Sequence, residues 1–467
     1  MTFEEIMAVG TPQQQITALK EKAITVPSWN GRGGLQSQYD PKKHPVMNRQ
    51  LYPDIVTDQG RECVTRVTYD LQRLAVKRMT ELCNGIPVKR IYRPKNDSQK
   101  EVAAYLEAIF DRNRINSVNI ERCNMLYASC EVMTLWYAIE EKNNLYGFDS
   151  PLKLRCRNFS PMQGDELYPL FDEYGDMIAM SVGYTRKVGK KNVQFFDSYS
   201  KDRHVKYSNE TGEWTIIEDE KITLLKIPAI YMYRPTPIWE SNSDIVYEME
   251  WTVSRNGNYL RKNSKPMFAV FADEEIEYNK EGEGEKQEES RAKGLDVLQL
   301  PKGSDARYIT WEQAIENTKF YVEHLRSMFF TLLQLPDWSY EKMSQQALSG
   351  ESRKQLFIDA KMKVNDESGR LLEFYDREIN VVKAFLKTML PEKYHNDIDA
   401  LEVEVKITAF AISDNRETVD TLMAANGGQP IMSQRESIEE YGHSDNVDKT
   451  LGEIQSQEVR NIFEPTI

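Results

Sequence analysis

The sequence predicts an α+β chain, and three observations predict it. Apolar residues recur at helical spacing from Arg61 to Ala128. The period falls toward two between Leu152 and Ile230. Helical spacing then returns from Ile245 to Met389, broken by a short strand-like insertion. Composition permits this. The chain has 467 residues, 40% of them hydrophobic and 28% charged, which is enough for packed cores in more than one structural part.

Phe3 to Leu19 carries a short helical pattern. The loop Ser28-Trp29-Asn30-Gly31-Arg32-Gly33-Gly34 and a proline-punctuated polar stretch through Pro53 make irregular structure the expectation to about Asp58. From Arg61 to Cys83, residues Val64, Val67, Leu71, Leu74, Met79 and Leu82 predict a helix that Gly85-Ile86-Pro87 stops. A second helix is expected near Ser98 to Arg112. A third covers Ser117 to Ala128 and continues into the apolar run Val132 to Ile139.

Leu152, Leu154 and Cys156 then alternate with Lys153, Arg155 and Arg157. Further runs at Met180 to Arg186, Val193 to Tyr199, His204 to Tyr207 and Trp214 to Ile217 read as antiparallel strands, with turns at Tyr174-Gly175-Asp176 and between Tyr207 and Trp214. Asn242, Ser243 and Asp244 supply a helix cap and an acidic first turn. Ile245, Met249, Val253 and Leu260 form the stripe of that helix, and Arg261 and Lys262 suit its C-terminal end.

Met267 to Ala272 and Val297 to Leu300 read as strands around the charged stretch Asp273 to Lys293, whose tip is expected to be disordered. From Thr310 the residues Trp311, Ile315, Thr318, Val322, Leu325, Phe329 and Leu332 keep a 4-3 spacing, a helix-packing seam that Pro336 ends. That seam suits packing within the chain and against another copy. Asp337 to Gly350 is polar and without period. A long helix is expected from Glu351 to Leu390, with Leu371, Tyr375, Ile379, Val382, Leu386 and Met389 as its stripe and Gly369 as a bend. Glu402 to Ala411 alternates as a strand. Helices at Glu417 to Ala425, Ser433 to Tyr441 and Asn446 to Ile462 close the chain.

Several function classes lose support. No Gly-x-x-x-x-Gly-Lys-Ser/Thr loop occurs, and Glu281-Gly282-Glu283-Gly284-Glu285 would repel phosphate. No His-Glu-x-x-His or Gly-x-Ser-x-Gly signature is present, and no two of the five histidines are neighbours. Neither a catalytic pair nor a metal or cofactor site is read, so the chain is expected not to be an enzyme. A metal-dependent nuclease would need clustered carboxylates. The start, Met1-Thr2-Phe3-Glu4, lacks a signal-peptide pattern, and no apolar run is long enough to span a membrane. Five cysteines without paired spacing are expected to be reduced and buried. A net charge of −13 argues against a tight grip on nucleic acid.

The order of short motifs carries a resemblance. Ile227-Pro228-Ala229 precedes Asn242-Ser243-Asp244-Ile245. Tyr259-Leu260-Arg261-Lys262-Asn263-Ser264-Lys265-Pro266 follows, then Gln299-Leu300-Pro301-Lys302-Gly303, Ile309-Thr310-Trp311 and Ala347-Leu348-Ser349-Gly350. With Phe159-Ser160-Pro161, Phe195-Phe196-Asp197 and Ile431-Met432-Ser433, this order resembles the portal proteins of tailed phages, the head-to-tail connector family, over most of the chain.

That resemblance implies an elongated portal-type subunit. Its parts would be an irregular segment 1–58, a β-rich wing 59–240, a first stem helix 241–264, a small α/β clip 265–309 and a second stem helix 310–336. A tunnel loop 337–350, a long helix with a closing wing strand 351–412 and a helical crown 413–467 would follow. It implies a homo-oligomeric, dodecameric ring at one capsid vertex of the virion, assembled in the host cytoplasm. Double-stranded DNA would pass through it without sequence specificity during packaging and ejection. Terminase, a head-completion adaptor and tail proteins would dock on it, as would the major capsid and scaffolding proteins. The alternative is another viral or prophage ring-forming structural component without enzymatic activity.

Within this picture Trp338, Tyr340, Lys342 and Gln345 in the tunnel loop, and Lys319 and Arg326 on the stem, are candidates to face the channel. Two readings stand for the cations: contact with the DNA backbone, or surface charge and ion pairing. Glu316 and Glu323 favour ion pairing for Lys319 and Arg326. Trp338 and Tyr340 anchor the loop or pack against a neighbouring subunit. An acidic ring suits the task, because a wall that neutralised many phosphates would hold DNA rather than let it slide.

Overall fold

The computed structural model describes residues 2–31, 33–57, 60–240, 242–263, 267–271, 305–309, 315–335, 337, 358–409, 433–441 and 447–463. The chain divides into two units, Met1–Asp337 with Lys363–Ala409, and Trp338–Met362 with Phe410–Ile467.

The pattern from Phe3 to Leu19 is two helices, α1 (Phe3–Met7) and α2 (Pro12–Leu19). Thr11 starts the second by accepting the Gln14 amide on its hydroxyl, with Pro12 in the first turn. A short α3 (Leu35–Tyr39) and the hairpin β1 (Ile55–Thr57) with β2 (Gly60–Glu62) follow. The helix expected from Arg61 begins only at Leu71, as α4 (Leu71–Asn84). Residues 63–70 form no regular element; the amides of Thr65, Val67 and Tyr69 are taken by side chains of a later helix and that of Val64 by Asp54. After β3 (Lys89–Arg93) come α5 (Asp97–Arg112) and α6 (Ile115–Ser129). The third helix does not continue into Val132 to Ile139. Cys130 takes a left-handed φ of 64° and closes it, and β4 (Glu131–Asn143) begins at once.

The period-two region is antiparallel throughout. Its strands are β5 (Ser150–Phe159), β6 (Glu166–Phe171), β7 (Met177–Val188), β8 (Lys191–Ser200), β9 (Arg203–Ser208), β10 (Thr215–Lys221) and β11 (Ala229–Tyr233). They form a three-stranded sheet β11-β4-β5 and a five-stranded sheet β10-β9-β8-β7-β6. Alternation along β7 sends Met180, Val182 and Tyr184 into a core with Met133, Leu135, Phe159 and Tyr231 of the smaller sheet. The opposite face of the larger sheet offers Ala179, Phe196, Val205 and Tyr207. The N-terminal helices cover it with Phe3, Ile6, Ile16 and Leu19. Each such large side chain contributes roughly 1.5–3 kcal/mol on burial.

Next come α7 (Ser243–Asn263), the ladder strands β12 (Met267–Phe271) and β13 (Asp305–Ile309), and α8 (Ile315–Leu332). The long helix is α9 (Ile358–Met389), and all six of its expected stripe residues are buried. It runs unbroken through Gly369, where a bend was expected. A Cβ at Gly369 would meet nothing within 4 Å, so Gly369→Ala is expected to raise the unfolding free energy by about 0.5–1 kcal/mol in urea titration. After α10 (His395–Ala400), β14 (Glu402–Lys406) pairs antiparallel with β3 and stops short of the expected Ala411.

The long helix is fixed by a buried ionic cluster. Glu378 takes both terminal nitrogens of Arg122, at 2.7 and 2.9 Å, and the Trp136 indole N–H at 3.1 Å, while Arg90 lies 3.8 Å away. Arg122 stacks over Phe374 at 4.5 Å. Burial alone would raise the Glu378 carboxyl, but Arg122, Arg90 and the indole hold it below the ordinary glutamate range. Three cysteines, Cys83, Cys123 and Cys130, are buried, Cys156 is half-buried, and Cys63 is exposed against expectation. Burial pushes the thiols of Cys83 and Cys123 up to about 12 and about 11, so both stay protonated at neutral pH.

In the second unit, α11 (Gln434–Tyr441) starts on a reciprocal cap. Ser433 Oγ accepts the Glu436 amide, and Glu436 accepts the Ser433 amide. Arg435 pairs with Asp448 of α12 (Val447–Phe463) at 3.1 Å. The expected elements at Asp273–Lys293, Val297–Leu300 and Glu417–Ala425 lie outside the described residues.

Candidate functional site

Two helices with a strand ladder between their ends form the most distinctive feature. The α7 and α8 helices pack on each other, and the Tyr321 hydroxyl donates to Glu248 across the pair at 3.4 Å. The chain leaves α7 into β12 and returns through β13 to α8, with Met267 opposite Ile309 and Phe271 opposite Asp305.

The buried face of α7 differs from the expected stripe. Val246, Met249, Glu250 and Ser254 are buried, whereas Leu260 is exposed. Residues 63–70 cause the difference by lying against this face. The Val67 amide donates to Ser254 Oγ at 2.9 Å, the Tyr69 amide to Glu250 Oε1 at 2.8 Å, and the Thr65 amide to Asn258 Oδ1 at 2.6 Å. His44 completes the anchor. Its Nε2 donates to the Gln38 carbonyl at 2.8 Å, and its Nδ1 lies 2.7 Å from Glu250 Oε1, with both side chains fully buried. Nothing near His44 in sequence signals this, because its partner stands 206 residues away.

On α8 the seam turns inward at Leu325 and Phe329, joined by Phe330 and Leu333. Leu332, expected in that seam, is 55% exposed. Gln334 ends the helix at a left-handed φ of 55°, and the Leu335 amide reaches back to the Phe330 carbonyl at 3.1 Å. A second apolar strip lies on the neighbouring face. Phe320 is 71% exposed, Tyr321 and Met328 are exposed too, and His324 stacks on Phe320 at 5.9 Å. Helical spacing sets Phe320, His324, Met328 and Leu332 along one side.

Asp337 and Lys363 are both tied to the C-terminal end of α8 or to its neighbours. Asp337 is held by Arg326 at 3.2 Å and Arg78 at 3.4 Å, and Lys363 donates to the Leu333 carbonyl at 2.6 Å, where a cation suits a helix C-terminus. Burial pulls the Lys363 ammonium below its ordinary value, with Glu240 opposing. Among the channel candidates, Arg326 is engaged with Asp337 rather than with Glu323. Lys319 is 74% exposed on its side chain, with Glu323 at 3.9 Å. Trp338, Tyr340, Lys342 and Gln345 lie outside the described residues. Among the described residues no group of three or more His, Cys, Asp or Glu side chains is placed to hold a metal ion, and no helix is long and apolar enough to cross a membrane.

The mixed α+β class is the one the sequence predicted. The chain belongs to the phage portal protein family, SPP1 Gp6-like, whose model matches residues 35–462. Among solved structures it is similar to a chain from the virion of a native gene transfer agent particle, at 11% identity and a TM-score of 0.39, covering 92% of this chain and 98% of that one. It is also similar to a chain from the neck of an empty particle computed with C6 symmetry, at 11% identity and a TM-score of 0.38, covering 90% and 96%. A third is the neck of a native particle computed with C12 symmetry, at 12% identity and a TM-score of 0.37, covering 91% and 96%. No curated protein matches the chain.

Proposed function

We propose that copies of this chain close into a ring, dodecameric as the family resemblance implies, which forms the portal of a phage head and passes double-stranded DNA during packaging and ejection. One observation besides family membership supports this most. The exposed apolar strip on α8 is a surface that a lone subunit in water leaves uncovered. In this reading α7 and α8 are the stem, the ladder β12–β13 is the base of the clip, and the β sheets belong to the wing. The segment 337–350 enters the passage from the anchor at Asp337 and carries Trp338, Tyr340, Lys342 and Gln345 to it. Lys319 and Arg326 serve the stem wall as members of ion pairs, which leaves little free positive charge to hold DNA. The ends of the ring dock terminase, then a head-completion adaptor and tail proteins, and the wing meets the capsid and scaffolding proteins. The virion is its final location, reached by assembly in the host cytoplasm. The chain acts as a structural conduit and not as an enzyme.

The test is direct imaging of the purified protein by negative stain, with its mass measured in solution. Discs with a central hole wide enough for a duplex are the expected result. A stable monomer at high concentration would end this reading.

A further inference from the structure

The hairpin of β7 and β8 outgrows its sheet. On one side β6 pairs with β7 only as far as Gly183, and on the other β9 pairs with β8 only from Phe195. Arg186 to Val193 continue as a two-stranded ribbon with Arg186 opposite Val193, Lys187 opposite Asn192 and Val188 opposite Lys191. At about 3.4 Å per residue the ribbon runs roughly 14 Å beyond its neighbours. Its turn is Gly189-Lys190, with Gly189 at a φ of 61°. Arg186, Lys187, Lys190 and Lys191 are all exposed there, and no carboxylate stands among the residues from Thr185 to Gln194.

Lysines on free strand edges commonly deter pairing with other sheets, and that alone would explain one or two of them. The charge balance argues for more. Several strand cations elsewhere in these sheets face carboxylates: Arg203 meets Asp219, Lys206 meets Glu218 and Lys153 meets Glu141. Among the described residues, Lys187, Lys190 and Lys191 have no carboxylate within ion-pair distance, on a chain whose net charge is −13. Three lysines without a carboxylate partner, with Arg186 beside them over the Tyr184 ring at 4.7 Å, call for an anionic partner on this projecting ribbon.

We infer that this ribbon binds the phosphate backbone of double-stranded DNA on the outer surface of the protein, apart from any channel. The chemistry favours phosphate over an acidic protein face. Three of the four cations are lysines, point charges without the fixed fork that recognises individual carboxylates, and no exposed aromatic anchor accompanies them. A uniform array of phosphates suits such charges, and a two-stranded ribbon is narrow enough to enter the major groove. The inference does not depend on ring closure.

Covalently closed circular DNA supplies the test, because it cannot thread a closed ring. Binding of the full chain to such circles is measured by filter retention between 50 and 200 mM salt. With four phosphates neutralised, the log–log salt slope is expected near −3.6, which is a loss of about 150-fold across that range. Replacing all four cations with glutamine is expected to abolish this binding while ring formation, read by imaging, persists. Lys190→Gln alone, in an exposed turn, is expected to make the slope shallower by about 0.9, and replacing the three lysines with arginine is expected to preserve binding. Wild-type protein that ignores circular DNA at low salt, or a fourfold variant that still binds it, overturns the inference. Competition by polyglutamate as effective as that by DNA would overturn it too, by assigning the ribbon to an acidic protein.

Discussion

Glu378→Ala is expected to lower the unfolding free energy by about 3–5 kcal/mol, because it strands the buried Arg122 guanidinium and takes a charge partner from Arg90. The cost comes from desolvated charge left unpaired. Arg122 stays packed over Phe374 and Tyr375, with Asn119 as a neutral partner. Glu378→Leu combined with Arg122→Met removes both members of the pair and is expected to recover the part of the loss that Arg122 accounts for, while Arg90 stays without its carboxylate. The double variant therefore separates the ion pair from mere packing. Urea titration of the three proteins measures it, and equal destabilisation of single and double variants would count against the ionic account. The pH dependence follows from the sign of the shift. The folded carboxyl lies below its unfolded value, so its contribution is present above the ordinary glutamate range and is lost as pH falls through the folded value. Glu378→Ala should thus narrow its gap to wild type in acid.

How much of this was legible in the sequence differs from element to element. The stripe of α9 was readable because its core face is mostly apolar, and the sheets because alternation survives wherever one face meets a core. The face of α7 was misread because Glu250 and Ser254, both polar, bury themselves to satisfy backbone amides of residues 63–70. The same contacts, with that of Asp54 to the Val64 amide, go with Val64 and Val67 lying outside the helix their spacing predicted. Arg122 and Glu378 stand 256 residues apart, so no local spacing could join them. For the candidate site, the two helices and the strand β12 were legible in the periodicity, but β13 was not, since the second strand was expected at Val297–Leu300 and the observed partner of β12 is Asp305–Ile309. The partner of Arg326 was not legible either, since Asp337 reaches it only after the chain turns at Gln334. The cationic run at Arg186 to Lys191 is plain in the sequence, but its projection depends on where pairing stops in the two adjacent strands.

Phe320→Glu combined with Leu332→Glu is expected to dismantle the assembly while leaving the subunit folded. Both side chains are exposed in the isolated chain, 71% and 55%, so little folding energy rests on them and the subunit should lose no more than about 0.5 kcal/mol each. Covered by a neighbouring copy, each would contribute roughly 1.5–3 kcal/mol, and a buried unpaired carboxylate in its place costs more. A loss of about 3 kcal/mol per interface is already a factor above 100 in association, and a closed ring carries that loss at every junction. Lys319→Glu, on the same helix but already solvated, is the control and should shift assembly little, as rim charges do. Light scattering measures assembly and thermal unfolding measures the subunit. Rings that persist in the doubly charged variant would mean that the strip faces solvent in the assembled state. In that case the neighbouring copy must pack on another surface of the helix pair.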